Sequence, residues 1–290
     1  MAHIILGASG RVGSAVVDRL LELGAPVKGV VRNEEKAKAL KLRGADTAIA
    51  DAHNLPALKA ALRGGETLFT LTPETGREKN VLGDTNDILT NYRAALVADG
   101  IKKVVGLSSM GAQHREGTGN LIMSYMLEHA FDDIGVSRVF IRPAYYFSNW
   151  LNYLEPAEKN GVLPTFFPVD LKIPMICPSD VGHFAAEVLA DGDRDGTIYE
   201  LYGPGMYSSA DVAKAFSEVL GKEVKAEQIP RKDWEKTLDS IGFSPDGVRN
   251  FVEMTEAVIS GKSRPDGKGT VRAHGDTTLE AYLEKAVKKA

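Results

Sequence analysis

The sequence has a single cysteine, little charge imbalance and no long apolar run, and each of these absences excludes a class of protein. Cys177 is the one cysteine among 290 residues, so no internal disulfide can form, which suits a reducing compartment. The 35 basic residues against 39 acidic ones leave a net charge of −4, which is not the basic footprint of a protein that binds nucleic acid directly. No apolar run approaches the ~18 residues of a membrane span, and no signal segment precedes the first motif. We therefore expect a soluble, cytoplasmic protein.

Metal-ligating clusters are missing as well. The six histidines are scattered, and none is paired with another histidine or with the cysteine at zinc spacing, so we predict no metal site. Apolar side chains are present in ordinary amount, at 43%, and they supply a sizeable core. A chain of 290 residues has room for one large domain, or for a nucleotide-binding domain with a smaller companion.

The first turn of the chain contains three glycines spaced G-x-x-G-x-x-G between a predicted strand and a predicted helix. Ile4 to Leu6 form the apolar strand, and an amphipathic run follows, with Val12, Val16, Leu20 and Leu23 at helical spacing. Glycines in this pattern permit a tight turn, a close approach of a pyrophosphate and close packing of the helix on the strand. The helix N-terminus then offers unpaired N–H groups to the phosphates. The residues predicted to bind a dinucleotide here are Gly7, Ser9, Gly10, Arg11, Val12 and Gly13. The alternative is a glycine-rich turn that binds nothing.

The rest of the first half alternates short apolar strands with helices. We predict strands at 27–31, 47–50, 67–71, 103–107 and 138–141. This alternation indicates an α/β fold with a doubly wound parallel sheet of the Rossmann type, whose strands end at one ligand-binding edge. The predicted nucleotide domain covers residues 1–145, with 174–202 returning to it, and a smaller α+β lobe comprises 146–173 and 203–290. Within that lobe, 260–275 is rich in glycine and charge and is predicted to be a flexible link.

The residue after the second strand favours NADP over NAD. Sites for NAD place Asp or Glu there to bind the ribose hydroxyls, whereas this chain has Arg32, which can pair with a 2′-phosphate. Arg11 can add a second contact, although both arginines can also be ordinary surface charges. Asp51 and Ala52 follow the third strand, where the adenine amino group is expected. The backbone after the fourth strand is predicted to line the middle of the nucleotide, at Leu71, Thr72 and Pro73.

Several blocks together resemble the atypical short-chain dehydrogenases/reductases, most closely the NmrA-like family, over residues 3–260. The blocks are 7–13, 31–33, 107–109, 135–136, 141–143 and 146–149. The last resembles the family's aromatic-x-Glu-Asn signature, with Ser148 where Glu is usual. The resemblance implies NADP(H) held at the strand ends and a small lobe closing over the substrate. It also implies that the nicotinamide lies near 143–147, with Pro143, Tyr145, Tyr146 and Phe147 as contacts.

The proton-donor group of a short-chain dehydrogenase is only partly present in this sequence. Those enzymes use a Ser with a Tyr-x-x-x-Lys pair. Here Ser108 follows the fifth strand and also counts as a cofactor contact, and Tyr125 lies in the appropriate helix, but His129 replaces the lysine. His129 is one helical turn from Tyr125, so it is a candidate substitute donor. The alternative is that Tyr125 and His129 only pack against neighbouring elements and that Ser108 only shapes its loop.

These observations predict an NADPH-dependent reductase of a small apolar carbonyl compound or quinone. The alternative from another class is a non-catalytic NADP(H)-binding redox sensor that regulates a protein partner, and the missing lysine keeps it open. An epimerase or lyase that uses NADP transiently is disfavoured because such enzymes rely on the Tyr-Lys pair. The sequence leaves undecided whether the chain forms a homodimer, whereas nucleic acid and membranes are not expected as partners.

Overall fold

Strands and helices alternate through the first half of the chain in the computed structural model, which describes residues 2–192 and 194–288. Helix ends are marked by short polar caps and glycines: Asn33 caps α2, and Gly100 ends α4 in the left-handed conformation. The elements are β1 Ala2–Ile5, α1 Arg11–Glu22, β2 Val27–Val31, α2 Glu34–Leu42, β3 Asp46–Ile49, α3 Leu55–Leu62, β4 Gly65–Leu71, α4 Val81–Asp99, β5 Lys103–Leu107, α5 Ile122–His129 and β6 Ser137–Pro143.

The second half is less regular, and its strands are shorter. Its elements are β7 Tyr145–Tyr146, α6 Leu154–Asn160, β8 Val162–Thr165, β9 Ile173–Ile176, α7 Pro178–Ala190, β10 Ile198–Tyr202, β11 Gly205–Tyr207, α8 Ser209–Leu220, β12 Lys225–Gln228, α9 Trp234–Ser240, α10 Pro245–Ile259, β13 Thr270–His274 and α11 Leu279–Val287. Three short 3₁₀ helices cover Gly119–Leu121, Phe147–Tyr153 and Arg231–Asp233.

The main sheet has eight parallel strands in the order β13-β10-β6-β5-β4-β1-β2-β3. The order reverses beside β1, because the chain proceeds outward through β2 and β3 and then returns to β4 on the other side. Parallel strands bind ligands beyond their carboxyl ends at such a reversal. The predicted doubly wound parallel sheet is thus confirmed.

Each face of the sheet is covered by its own layer of helices. On one face α1 and α7 pack side by side, with Val16, Leu20 and Val181 buried among them. A Cβ on Gly182 of α7 would lie 2.7 Å from the carbonyl oxygen of Val12, so only glycine permits this approach. On the other face α3, α4 and α5 cover a second apolar cluster. Two buried faces explain why the central strands are continuous apolar runs.

The second half adds two small sheets and further apolar clusters. One sheet has the order β11-β9-β7 and the other pairs β12 with β8. Phe147, Trp150 and Phe216 are completely or almost completely buried in one cluster, and Trp234 is buried in another against Phe166. Among the described residues, no helix combines the length and the apolarity needed to cross a membrane.

The prediction of a flexible link at 260–275 is wrong for the part that forms β13. Thr270–His274 pairs in parallel with β10 and ends the main sheet, with Glu200 opposite Arg272. An edge strand has a neighbour on one side only and is partly exposed, so a polar sequence can form it without an apolar run. The division of the chain into a nucleotide domain and a small lobe stays a prediction.

Candidate active site

The glycine turn between β1 and α1 has the geometry of a phosphate-binding loop. Gly7 adopts a positive φ of 63°, and the Gly10 N–H donates to the Gly7 carbonyl oxygen at 2.9 Å. A Cβ on Gly13 would lie only 2.3 Å from that same oxygen, so the first turn of α1 is seated directly on the loop. No side chain caps α1, which leaves its first N–H groups for an outside acceptor.

The surface of the loop is open. Gly7, Ser9, Gly10 and Arg11 are exposed, whereas Val12 and Gly13 are buried on the inner face of α1. Exposed N–H groups at a helix N-terminus bind anions, and the absent side chains leave room for one close to the backbone. The loop therefore fits the pyrophosphate of a dinucleotide.

The predicted adenosine-binding residues lie at the same sheet edge, after the first and the second strand beyond β1. Arg32 directly follows the buried end of β2 and is exposed, while Asn33 beside it is committed to capping α2. Asp51 is exposed after β3 and accepts the His53 N–H at 2.9 Å. The carbonyl of half-buried Ala52 accepts from Asn91 at 3.0 Å. Arg32 and Asp51 end adjacent paired strands, so both border the edge where the glycine loop lies.

A cavity of about 800 Å³ lies at the ends of β4, β5 and β6, and residues of the second half of the chain line its other side. Its volume is within the range of small-molecule sites. Six of the predicted site residues line it, namely Leu71, Thr72, Ser108, Pro143, Tyr145 and Tyr146. Most of the lining is apolar, from Leu107, Met110, Leu121, Met123, Ala144, Ile173, Pro174, Met206, Met254 and Val258. The arrangement suits a small, flat and mainly apolar ligand.

Pro73 and Phe147 are not among the residues that line this cavity. Pro73 is exposed after β4. The Phe147 side chain is completely buried, with its ring centroid 5.7 Å from that of Tyr207 and 5.8 Å from that of Tyr282. Any contact of Phe147 with a nicotinamide would therefore come through its backbone.

Ser108 belongs to a buried polar network behind the cavity wall. Its hydroxyl donates to Glu128 Oε1 at 2.5 Å, and Arg142 donates to both oxygens of that carboxylate at 2.7 and 2.6 Å. Only 4% of the Glu128 side chain and 7% of the Arg142 side chain are exposed. The Ser108 proton is therefore already committed, and its oxygen remains available as an acceptor.

Tyr125 and His129 lie together but are not among the residues that line the cavity. Their ring centroids are 4.3 Å apart, as the helical spacing predicted, and exposed His129 places Nδ1 2.9 Å from Asp132 Oδ2. The same helix contributes Met123 and Ser124 to the lining instead. The catalytic role of the Tyr125–His129 pair stays a prediction.

Two other tyrosines, Tyr145 and Tyr146, line the cavity. Burial raises the pKa of Tyr145, which also hydrogen-bonds with Asn149, and burial raises the pKa of Tyr146. The Tyr146 hydroxyl is buried with no hydrogen-bond partner among the described residues. Both phenols are protonated near neutral pH, and burial favours that form further, so Tyr145 and Tyr146 each carry an O–H donor.

The sequence interpretation missed the far wall of the cavity, which β10, β13 and α10 form. Tyr202, Arg272 and His274 line it on the strand side, and Met254 and Val258 line it on the helix side. The His274 ring stacks on Tyr202 with centroids 5.7 Å apart. The one local signal was the alternation of polar and apolar residues over 270–274, which is typical of a strand but is weak in a charged, glycine-rich segment.

Comparisons with known proteins agree with this geometry. The model of the NmrA-like family matches residues 3–283. Quinone oxidoreductase 2 of Escherichia coli is 26% identical to this chain over 280 residues, which cover 95% of each chain. The NAD(P)H azoreductase of Xenophilus azovorans is 25% identical over 241 residues, which cover 83% of this chain and 81% of the relative. The solved structure of the E. coli NADPH-dependent quinone oxidoreductase complexed with NADPH superposes with a TM-score of 0.79 at 25% identity, covering 99% of this chain and all of that one.

Proposed function

The chain belongs to the NmrA-like family, and on that basis we propose that it is an NADPH-dependent reductase of a small apolar quinone or carbonyl compound. Its cofactor is NADP(H), in keeping with the E. coli relative that was solved with NADPH. One observation carries the proposal. The apolar cavity begins at Leu71, Ser108 and Pro143, at the ends of β4, β5 and β6 on the sheet edge that carries the glycine loop, so a ligand inside it would lie beside the nicotinamide end of the cofactor.

The residues at the strand ends have distinct roles in this proposal. The loop at 7–13 and the first turn of α1 hold the pyrophosphate, and Arg32 pairs with the 2′-phosphate. Asp51 and Ala52 border the adenine, and 71–73 and 143–147 border the middle and the nicotinamide end of the cofactor. When bound, NADPH supplies a hydride equivalent to the acceptor.

The acceptor oxygen also needs a hydrogen-bond donor. Tyr145 lines the cavity directly after β6, and burial raises its pKa, so it keeps the proton on its hydroxyl oxygen and can donate to a substrate oxygen. The Ser108 hydroxyl already donates its proton to Glu128, so Ser108 can only accept a hydrogen bond from a ligand and does not supply this donor. Tyr125 with His129 is the second candidate, and a comparison of Tyr145→Phe with Tyr125→Phe separates the two.

The test is NADPH oxidation, followed by loss of the cofactor's absorbance, with a panel of quinones and aldehydes. We expect turnover on at least one quinone, with a lower kcat in Tyr145→Phe. Tight NADPH binding without turnover on any acceptor would instead favour the redox sensor. The cavity favours the reductase, because a protein that reports only the cofactor's redox state needs no second site of this size beside it.

The choice of cofactor rests on Arg32. Arg32→Ala is expected to weaken NADP binding relative to NAD by about tenfold, because a charge-assisted pair with the 2′-phosphate is lost. Arg63→Ala serves as the matched control, since Arg63 is exposed and precedes β4 at the opposite edge of the sheet. An unchanged NADP-to-NAD affinity ratio in Arg32→Ala would remove the phosphate contact.

A further inference from the structure

We propose that the acceptor reduced in this cavity carries an acidic group, such as a carboxylate, sulfonate or phosphate, and that Arg272 binds it. The proposal rests on the proposed reductase function and adds the chemical class of the substrate. It concerns the far wall of the cavity, where β10 and β13 end.

The charged residues of the lining are unequal in sign. Lys172, Arg264 and Arg272 contribute three cations, and Glu74 contributes the one carboxylate. Lys172 is 4.0 Å from Asp211, whereas Arg272 forms no ion pair with any carboxylate in the described part of the chain. A wall with excess positive charge beside an apolar interior attracts an apolar molecule that carries a negative substituent.

Arg272 is held in a defined position rather than free on a flexible arm. Its guanidinium carbon lies 4.8 Å from the centre of the Tyr202 ring, and the His274 ring stacks on that same ring. The Tyr202 hydroxyl donates to Glu200 Oε2 at 3.2 Å, and Glu200 is only 2% exposed. The exposed Arg272 guanidinium also hydrogen-bonds with the Tyr202 hydroxyl, and its remaining N–H groups can bind an oxyanion with less loss of entropy because the group is already held in place.

The distance of Arg272 from the cofactor-binding loop excludes the cofactor's own phosphates as its partner. β13 is five strands from β1 in the sheet order, which at ~4.8 Å per strand is on the order of 24 Å. Arg32 follows β2, which lies one strand beyond β1 on the side away from β13. The cavity fills the space between the ends of β4 and β13, so Arg272 faces the other reactant.

The test compares Arg272→Met with two further variants. Arg231→Met is the matched control, because the Arg231 guanidinium carbon also lies over an aromatic ring, 4.9 Å from the centre of Trp234, but Arg231 does not line the cavity. Arg272→Lys keeps the charge and checks that loss of packing is not the cause. Two readouts are measured: equilibrium binding of naphthalenesulfonate, which cannot be reduced, and kcat/KM for naphthoquinone and naphthoquinone sulfonate.

We expect Arg272→Met to bind naphthalenesulfonate about 5- to 10-fold more weakly, as for a charged hydrogen bond that is partly screened by solvent. The ratio of kcat/KM for the sulfonated over the unsulfonated quinone should fall by a similar factor, mainly through KM. Arg231→Met should match the wild type, and Arg272→Lys should recover most of the loss. Added salt should lower the ratio in the wild type more than in Arg272→Met.

The outcomes separate the two levels of the proposal. If the enzyme reduces both quinones and Arg272→Met changes neither the ratio nor the binding of naphthalenesulfonate, the acidic substrate class is refuted and the reductase function stands. If the wild type reduces none of the quinones and aldehydes of the panel, the reductase function is refuted, and an acidic acceptor is refuted with it.

Discussion

The buried pair of Glu128 and Arg142 offers the sharpest test of how the cavity wall is held together. Removing one partner leaves an unpaired charge in a site where only 4% and 7% of the side chains are exposed. Loss of one member of a buried pair costs about 3–5 kcal/mol. Glu128→Met also removes the acceptor of the Ser108 hydroxyl. We therefore expect Glu128→Met and Arg142→Met each to lower the free energy of unfolding by that amount.

The double variant should be more stable than either single one. Replacing both charges with apolar side chains of similar length removes the burial penalty together with the attraction, so the loss should be at most about 2 kcal/mol. The coupling energy of the double-mutant cycle should then be several kcal/mol. The surface pair of Arg231 and Glu256 is the control, because about half of each side chain is exposed, and Glu256→Met should cost less than about 1 kcal/mol.

Urea unfolding followed by circular dichroism measures these differences, with thermal unfolding as a second readout. For 290 residues the entropy of unfolding is about 0.6 kcal/mol/K, so a loss of about 4 kcal/mol lowers Tm by about 7 °C. Additive losses in the double variant, or single variants within about 1 kcal/mol of the wild type, would refute the assignment of this pair as a desolvated, mutually dependent unit.

Two further predictions concern the amino-terminal strand and its loop. Gly13→Ala places a Cβ 2.3 Å from the Gly7 carbonyl oxygen and should lower the free energy of unfolding by about 1–3 kcal/mol. It should also weaken NADPH binding, measured by calorimetry. Gly135→Ala is the control and should change neither quantity, because no atom lies within 4 Å of its Cβ. Burial lowers the pKa of His3 below its ordinary 6.5, so the unfolded state binds more protons than the folded state just below that pH. The stability contributed by His3 should be complete above about pH 6.5 and should be lost as the pH drops through the lowered folded value. Urea midpoints from about pH 7.5 to 5.5 measure this loss, which should be smaller in His3→Gln; an equal loss in His3→Gln would show that His3 contributes nothing to it.

Much of the secondary structure of the first half could be read from local signals. The predicted strands 27–31 and 103–107 coincide with β2 and β5. Local signals mark their limits: Arg32 and Asn33 follow β2, and Gly100 ends the helix that precedes β5. A continuous apolar strand between two such signals has few alternatives in a doubly wound sheet.

The candidate proton donors show where local signals stop. Helical spacing predicted that Tyr125 and His129 share a face, and their rings are in contact. The spacing did not predict which face of α5 lies towards the cavity, where Met123 and Ser124 are found, nor that Glu128 would be buried against Arg142. Periodicity relates the side chains of one helix to each other, but the rotation of the helix about its axis depends on the residues packed around it.

The sequence alone determined the glycine turn and the alternation of strands and helices that follows it. Its glycines and its apolar strands act through the backbone within a few residues of each other. Only the tertiary structure decided the substrate end of the cavity, because Tyr202, Arg272 and Met254 come from three distant elements that meet there. Strand β13 is too polar to form by itself, and it exists because β10 offers a free edge beside which its backbone can be hydrogen-bonded.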